Sequence, residues 1–172
     1  MKVAIRLISA FAVVAICHSA AKAQQQEFPK PGPEHEKLAQ MAGVWEGKVT
    51  CHMTPPGDDG APVEMSAKYT AKMGLGGYFL MCKFQGEFFG QPFEGRAITG
   101  FDPDKRKFVG VWVDSMGPAI YHTEGSFDES AKTYTETMEG PGPDGKPMKF
   151  RMITSIQDKS STLFKMFTVD AD

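Results

Sequence analysis

The sequence contains no asparagine, only three cysteines and two tryptophans, and no excess of basic residues over acidic ones. Without asparagine there is no N-glycosylation site, so nothing in the chain indicates a eukaryotic secretory route. The 19 basic residues, set against 21 acidic ones, form no positively charged cluster. This balance argues against nucleic acids and anionic membrane surfaces as partners.

Signatures of common enzyme classes are also missing. There is no G-x-S-x-G nucleophile elbow and no paired-cysteine spacing of a zinc site. The run Gly74-Leu75-Gly76-Gly77 lacks the G-x-G-x-x-G spacing of a nucleotide-binding loop, and we interpret it as a hairpin turn. The sequence therefore favours a binding protein over an enzyme and predicts no cofactor and no bound metal.

The first segment has the features of a secretory signal peptide. Lys2 and Arg6 give a basic start, Leu7–Cys17 is an apolar run, and Ala21-Lys22-Ala23 matches an A-x-A cleavage pattern. A membrane-spanning helix needs about 20 apolar residues, more than this run provides. We expect residues 1–23 to be removed and the protein to be periplasmic or secreted.

The 149 residues that follow suit a single domain with its own core. The leader carries three basic and no acidic residues, so its removal changes the net charge from −2 to −5. No second apolar run is long enough to span a membrane. We predict a flexible lead-in over residues 24–33 and one domain over residues 34–172.

Short alternating runs separated by glycine, proline and aspartate turns dominate the domain. After a helical segment over 34–41, they predict nine strands, at about 43–53, 63–73, 78–89, 91–101, 107–115, 119–127, 132–138, 147–156 and 162–169. Charged residues fall on one face of most strands, which indicates a sheet that is packed on one side only. We predict an all-β antiparallel meander that curls into a barrel, with a two-sheet sandwich as the alternative.

The opening of the domain resembles that of lipocalin-like (calycin) barrels. There, as in Gly43-Val44-Trp45, a short helix leads into a G-x-W strand whose tryptophan plugs one end of the barrel. Further segments resemble a bacterial family known as domain of unknown function 1579. They are GEFFGQPFEG over 86–95, GFD over 100–102, FVGVWVDSM over 108–116 and EGSFD over 124–128.

This resemblance implies an exported lipocalin-like barrel and no established activity. Members of the family continue with another glycine turn and a closing strand where this chain ends at Asp172. We therefore expect a barrel that is incompletely closed. Its seam would be covered by the N-terminal segment or used to pair with a second subunit, which makes a homodimer a candidate assembly.

Two cysteines, Cys51 and Cys82, remain after the predicted cleavage, and an oxidising compartment favours a disulfide. In a meander, however, the first and third strands lie about 9–10 Å apart, beyond the ~7 Å Cα limit for a disulfide. We expect two free thiols that face inward. Cys51-His52-Met53 contains soft ligands that suit Cu(I), but strand alternation directs His52 outward, so we predict no copper site.

The predicted inner faces are rich in aromatic and sulfur side chains. We predict that the barrel binds a small, mostly apolar ligand, lined by Trp45, Tyr69, Tyr78, Phe84, Phe93, Trp112 and Phe150. The alternative is that these side chains fill a solid core.

Two further function classes remain open. One is a hydrolase- or isomerase-like enzyme with Asp114, His122 and Arg151 at the barrel mouth. His122 is also the candidate axial ligand if the barrel held haem. The other is a structural or interaction module that pairs through an open sheet edge.

Overall fold

The computed structural model describes residues 29–51, 63–88, 90–142 and 145–169. The predicted signal peptide lies outside the described residues, as do His52 and Met53 of the candidate copper motif. No helix in the described ranges is long and apolar enough to cross a membrane. The elements are α1 (Pro33–Ala39), β1 (Gly43–Cys51), β2 (Val63–Gly74), β3 (Phe79–Phe88), β4 (Gln91–Asp102), β5 (Lys107–Asp114), β6 (Tyr121–Asp128), β7 (Thr133–Pro141), β8 (Pro147–Ile156) and β9 (Thr162–Val169).

Each strand pairs antiparallel with the next, so the order of strands in the sheet is their order in the chain. The sheet curls into an open half-barrel whose edges are β1 and β9. Because nine is an odd number, β1 and β9 run in the same direction, and these two edges cannot join as an antiparallel pair. The prediction of an incompletely closed antiparallel meander with a short helix is confirmed. The sandwich alternative is wrong, since all nine strands belong to one sheet.

Strand alternation gives the half-barrel a concave inner face and a convex outer face. Directly paired residues share a face, so the register places Cys82 on the inner face together with Ala71 and Ala97. The outer face carries exposed cross-strand ion pairs such as Lys48–Glu64 and Lys149–Glu139. Such exposed pairs each stabilise the fold by less than about 1 kcal/mol.

Helix α1 closes one end of the half-barrel. Pro33 occupies its first position and Glu34 and Glu36 lie in its first turn, where acidic side chains interact favourably with the helix dipole. Leu38 is fully buried and Met41 is 8% exposed, and both pack into the core of the sheet. We call this end of the half-barrel the helix end, and the opposite end, beside the β3–β4 and β5–β6 connections, the open end.

The third strand begins one residue later than the sequence predicts. Tyr78 is predicted to open this strand and face inward, but it lies in the preceding turn, where its ring centroid is 5.4 Å from that of His35. Gly76 and Gly77 adopt φ angles of 75° and 88°. This left-handed turn, which glycine adopts without strain, must be completed before the strand can begin.

The seventh strand is longer than predicted. Its glycine and proline predict a stop at Met138, but β7 continues to Pro141, and Gly140 pairs with Met148 on β8. Gly140 is required there because the ring of Tyr121 occupies the space of its missing side chain: a Cβ would lie 2.4 Å from a ring carbon. Here the glycine serves close packing and does not mark a turn.

Cys82 is a buried free thiol, as predicted. The backbone of Cys51 pairs with Val63 at one end of β2, whereas Cys82 pairs with Ala71. Residues 63 and 71 of a strand are about 27 Å apart at ~3.4 Å per residue, far beyond the reach of a disulfide. The side chain of Cys51 lies outside the described part of the structure.

Candidate functional site

Glu136 projects from β7 into the inner face of the sheet, on the same side as Tyr134 and Met138. Its partner on β6 is Gly125, where an added Cβ would lie 2.7 Å from the Cβ of Glu136. Its partner on β8 is Met152, which is 8% exposed. Glu136 therefore carries a carboxyl group on an otherwise largely apolar face, at a point where Gly125 lets β6 and β7 pack closely.

Hydroxyl groups are the hydrogen-bond donors at this carboxyl. The Tyr134 hydroxyl donates to Oε2 of Glu136 at 3.2 Å, and the Thr123 hydroxyl also favours the charged form. Burial outweighs both contributions and raises the pKa of Glu136 to about 7. Near neutral pH, Glu136 therefore exchanges between a carboxylic acid and a carboxylate.

A second polar pair comes from β2 and β3. The Tyr69 hydroxyl donates to Sγ of Cys82 at 2.7 Å. Burial raises the pKa of the Cys82 thiol to about 11, to which the charge of Glu136 also contributes. Burial and the charges of Cys82 and Glu136 raise the pKa of Tyr69. This coupling joins the two pairs across the interior, and we call Tyr69, Cys82, Thr123, Tyr134 and Glu136 the polar cluster.

The inner face has acidic groups but no basic ones. Within the described strands, every lysine, arginine and histidine alternates onto the outer face. The other inner carboxylate, Asp114, accepts hydrogen bonds from the Trp112 indole at 2.8 Å and from the Met116 amide at 2.9 Å. Among the described residues, Glu136 therefore has no cationic neighbour on the inner face to compensate its charge.

Three aromatic rings on β3, β4 and β5 form a panel beside the polar cluster, with Phe84 directly paired to Tyr69. The ring centroids of Phe84 and Phe93 are 5.5 Å apart, and each lies 6.4 Å from that of Trp112. The Trp112 ring lies over Gly95, where an added Cβ would be 2.1 Å from it. Together with Asp114, which holds the indole nitrogen, Gly95 fixes the orientation of this ring. We call Phe84, Phe93 and Trp112 the aromatic panel.

Packing differs between the two ends of the interior. At the helix end, Leu80, Phe108 and Tyr134 are only 2–4% exposed. Towards the open end, the aromatic panel is partly exposed, and so is Glu136. Met138 and Phe150, which lie nearer the open end on β7 and β8, are 6% and 8% exposed. The inner face is therefore tightly packed at the helix end and along these two strands, and it is less tightly packed at the aromatic panel.

The structure divides the predicted ligand-binding residues into three groups. Four lie on the inner face and are partly exposed, namely Tyr69, Phe84, Phe93 and Trp112. Two inner residues serve packing: Phe150 is 8% exposed in a cluster with Met138 and Met152, and the Trp45 indole donates to the Met41 carbonyl at 3.4 Å. Tyr78 lies beside α1 at the helix end, outside the sheet.

The three candidate catalytic residues are not brought together. Asp114 faces inward and is bound to Trp112. His122 pairs with Val111 and Glu139 and is exposed on the outer face. Arg151 is also exposed there, two strands away on β8. Among the described residues, no three His, Cys, Asp or Glu side chains converge as metal ligands.

Three residues of the polar cluster were not predicted from the sequence, namely Thr123, Tyr134 and Glu136. A signal was present in Thr133–Met138, where threonines alternate with Tyr134, Glu136 and Met138. Strand alternation places the glutamate on the same face as a tyrosine and a methionine, an unusual position for an unpaired charge. The Gly125 that receives it lies on the neighbouring strand, and only the register reveals that pairing.

Comparisons with known proteins identify the family of the chain. No curated protein and no solved structure matches it. A family model described as "Protein of unknown function (DUF1579)" matches residues 30–172, a range that begins just before α1 and includes β9. The match covers most of the sequence and includes every element described above, and the chain belongs to this family.

Proposed function

We propose that the protein binds a small, mostly apolar ligand in the interior of the half-barrel. The observation that carries this proposal is the aromatic panel of Phe84, Phe93 and Trp112, whose rings contact one another and remain partly exposed on the inner face. The core at the helix end, which α1 covers, is by contrast fully packed. Apolar walls with a few polar groups are typical of small-molecule sites. The polar cluster supplies those groups at the inner limit of the space.

The aromatic panel provides a rigid surface for an apolar body. A ligand in contact with these rings would remove a large apolar area from water, and each Å² removed stabilises the complex by about 25 cal/mol. Aromatic side chains also have few torsions to order on binding. Trp112 is further immobilised by Gly95 and Asp114, so little conformational freedom remains to be lost. The site is therefore preorganised for binding.

Tryptophan fluorescence tests this proposal directly, because the chain has only two tryptophans. In a Trp45→Phe variant, Trp112 is the sole reporter, and we expect titration with 1-octanol to shift its emission saturably. Phe84→Ala should weaken this binding about tenfold or more, whereas the matched outer-face change Val113→Ala should leave it unchanged. Absence of a saturable change up to the solubility limit of the probe would contradict the proposal.

A second candidate function, self-association through β9, is favoured by the composition of that edge. β9 pairs only with β8 among the described residues, and its apolar side chains on both faces are 40–53% exposed, namely Leu163, Phe164, Met166, Phe167 and Val169. Exposed apolar edge strands promote pairing with another strand. We propose a second copy of this chain as the partner.

Charge selects the register of such a pairing. If two antiparallel β9 strands met at Lys165, two like charges would lie opposite each other, which is destabilising. A centre at Met166 instead places Lys165 opposite Phe167 and Leu163 opposite Val169. A cation then lies beside an aromatic ring and apolar side chains pair with each other.

A further inference from the structure

We propose that the Glu136 carboxylate recognises a cationic amine on the ligand, so that the interior selects small apolar amines over neutral or acidic molecules of the same size. This inference rests on the proposed function, because it names the ligand class of the same site.

The position of Glu136 favours contact with a polar end group of a bound ligand. Glu136 lies on the inner face two residues along β7 from Tyr134, which belongs to the core at the helix end, and Glu136 is itself partly exposed. Glu136 is level with Phe108 through Gly125, and Trp112 of the aromatic panel lies four residues further along β5 toward the open end. A ligand whose apolar body contacts the panel would bring a terminal polar group to this carboxyl. Gly125 lets β7 approach β6 closely at this point, since an added Cβ would lie 2.7 Å from both the Cβ of Glu136 and the carbonyl oxygen of Thr135.

The charges of the inner face favour a cationic ligand. The described inner face presents carboxylates and no base, so it disfavours an anionic ligand and favours a cationic one. Asp114 is already engaged by Trp112 and Met116, which leaves Glu136 as the carboxylate without a strong partner. An ammonium group would supply the missing charge and make charge-assisted hydrogen bonds, which are about twice as strong as neutral ones.

The surroundings of Glu136 give the proposal a pH dependence. The ionisable groups that face it are Tyr134 on its own strand, Tyr69 on β2 and Cys82 on β3, and all three stay neutral near pH 7 because burial raises their pKa values. Thr123 on β6 and Met152 on β8 do not ionise. Since Glu136 has a pKa of about 7, amine affinity should rise with pH through that range.

Calorimetric titration with three eight-carbon probes tests the inference. Octylamine stays protonated between pH 5.5 and pH 8, since primary amines have pKa values of about 10.4. Glu136 is about 3% ionised at pH 5.5 and about 90% at pH 8, so octylamine should bind about thirtyfold more tightly at pH 8. The affinity of 1-octanol should change less than about twofold over the same range, and octanoate should bind most weakly at pH 8.

Two matched variants assign the effect to one residue. Glu136→Gln should remove both the preference for octylamine and its pH dependence while 1-octanol still binds. Glu139→Gln lies on the same strand but on the outer face, where its carboxylate pairs with Lys149, and it should behave as wild type.

The outcomes separate this inference from the proposed function. If octylamine and 1-octanol bind equally at both pH values, the inference is overturned and the ligand-binding function stands. If no probe binds the wild type, both are overturned. Should Glu136→Gln fail to fold, the comparison of octylamine with 1-octanol across pH in the wild-type protein decides the inference by itself.

Discussion

Glu136 makes folding stability depend on pH in the opposite direction to a paired carboxylate. Its pKa is about 7 in the folded protein, against 4.5 for an unperturbed glutamate. Between these values the native state holds a proton that the unfolded chain has already released. The contribution of Glu136 to the free energy of unfolding is therefore complete below pH 4.5 and is lost as the pH rises to about 7.

The size of this loss follows from the two pKa values. At about 1.4 kcal/mol per pH unit, the interval from 4.5 to about 7 corresponds to a loss of about 3 kcal/mol. A Glu136→Gln variant stays neutral at every pH and retains an oxygen that accepts the Tyr134 hydroxyl. Its stability relative to wild type should therefore increase by about 2–3 kcal/mol between pH 5 and pH 8.

Urea unfolding followed by tryptophan fluorescence, at constant ionic strength from pH 5 to pH 8, measures this difference. Taking variant minus wild type cancels the contributions of the other titratable groups. Three exposed carboxylates have lowered pKa values, namely Glu46, Asp128 and Asp158. Their contributions to the free energy of unfolding are lost only as the pH falls below the range of this experiment. Glu139→Gln should follow the wild type, and parallel curves for Glu136→Gln and wild type would refute the reasoning.

Three further predictions concern other parts of the structure. Gly125→Ala should lower the free energy of unfolding by about 1–3 kcal/mol in urea titrations, because its methyl group collides with Glu136; unchanged stability would contradict the register. Cys82 should react with iodoacetamide at pH 8 about a hundredfold more slowly than an unfolded thiol, as measured by mass spectrometry, since its pKa is about 11. The double change Phe164→Lys and Phe167→Lys should shift the protein from dimer to monomer in light scattering at matched concentration; a wild-type monomer would exclude pairing through β9.

The fold was largely predictable because antiparallel strands in a meander are local structures. Period-two alternation and turn residues define each strand within about ten residues of sequence, so the bounds of β8 and β9 agree with their predicted ranges. The errors at Tyr78 and Gly140 have the same origin. Before Tyr78, Gly76 and Gly77 form a left-handed turn, whereas Gly140 lies inside a strand and packs against the ring of Tyr121. The sequence shows a glycine in both places but does not show which of these two roles it has.

The candidate site was only partly predictable because it depends on residues far apart in the chain. The inward direction of Phe84 and Phe93 follows from the charged residues that alternate with them within single strands, whereas the strand of Trp112 is apolar on both faces and its direction follows from the register. The polar cluster was missed, because it joins Tyr69 on β2 to Glu136 on β7 only after the sheet has curled. Strand alternation specifies a face, whereas curvature decides which parts of that face meet.

The energetic cost of Glu136 is itself an argument for its role. A neutral residue at this position would avoid a destabilisation of about 3 kcal/mol above pH 7, a large fraction of the 5–15 kcal/mol by which domains are typically stable. A structural carboxyl would be expected to have a basic partner, and the described inner face provides none. These features are explained together if the compensating charge is supplied by a ligand: binding an amine would lower the pKa of Glu136 and recover stability, so amine-bound protein should be stabilised more at pH 8 than at pH 5.5.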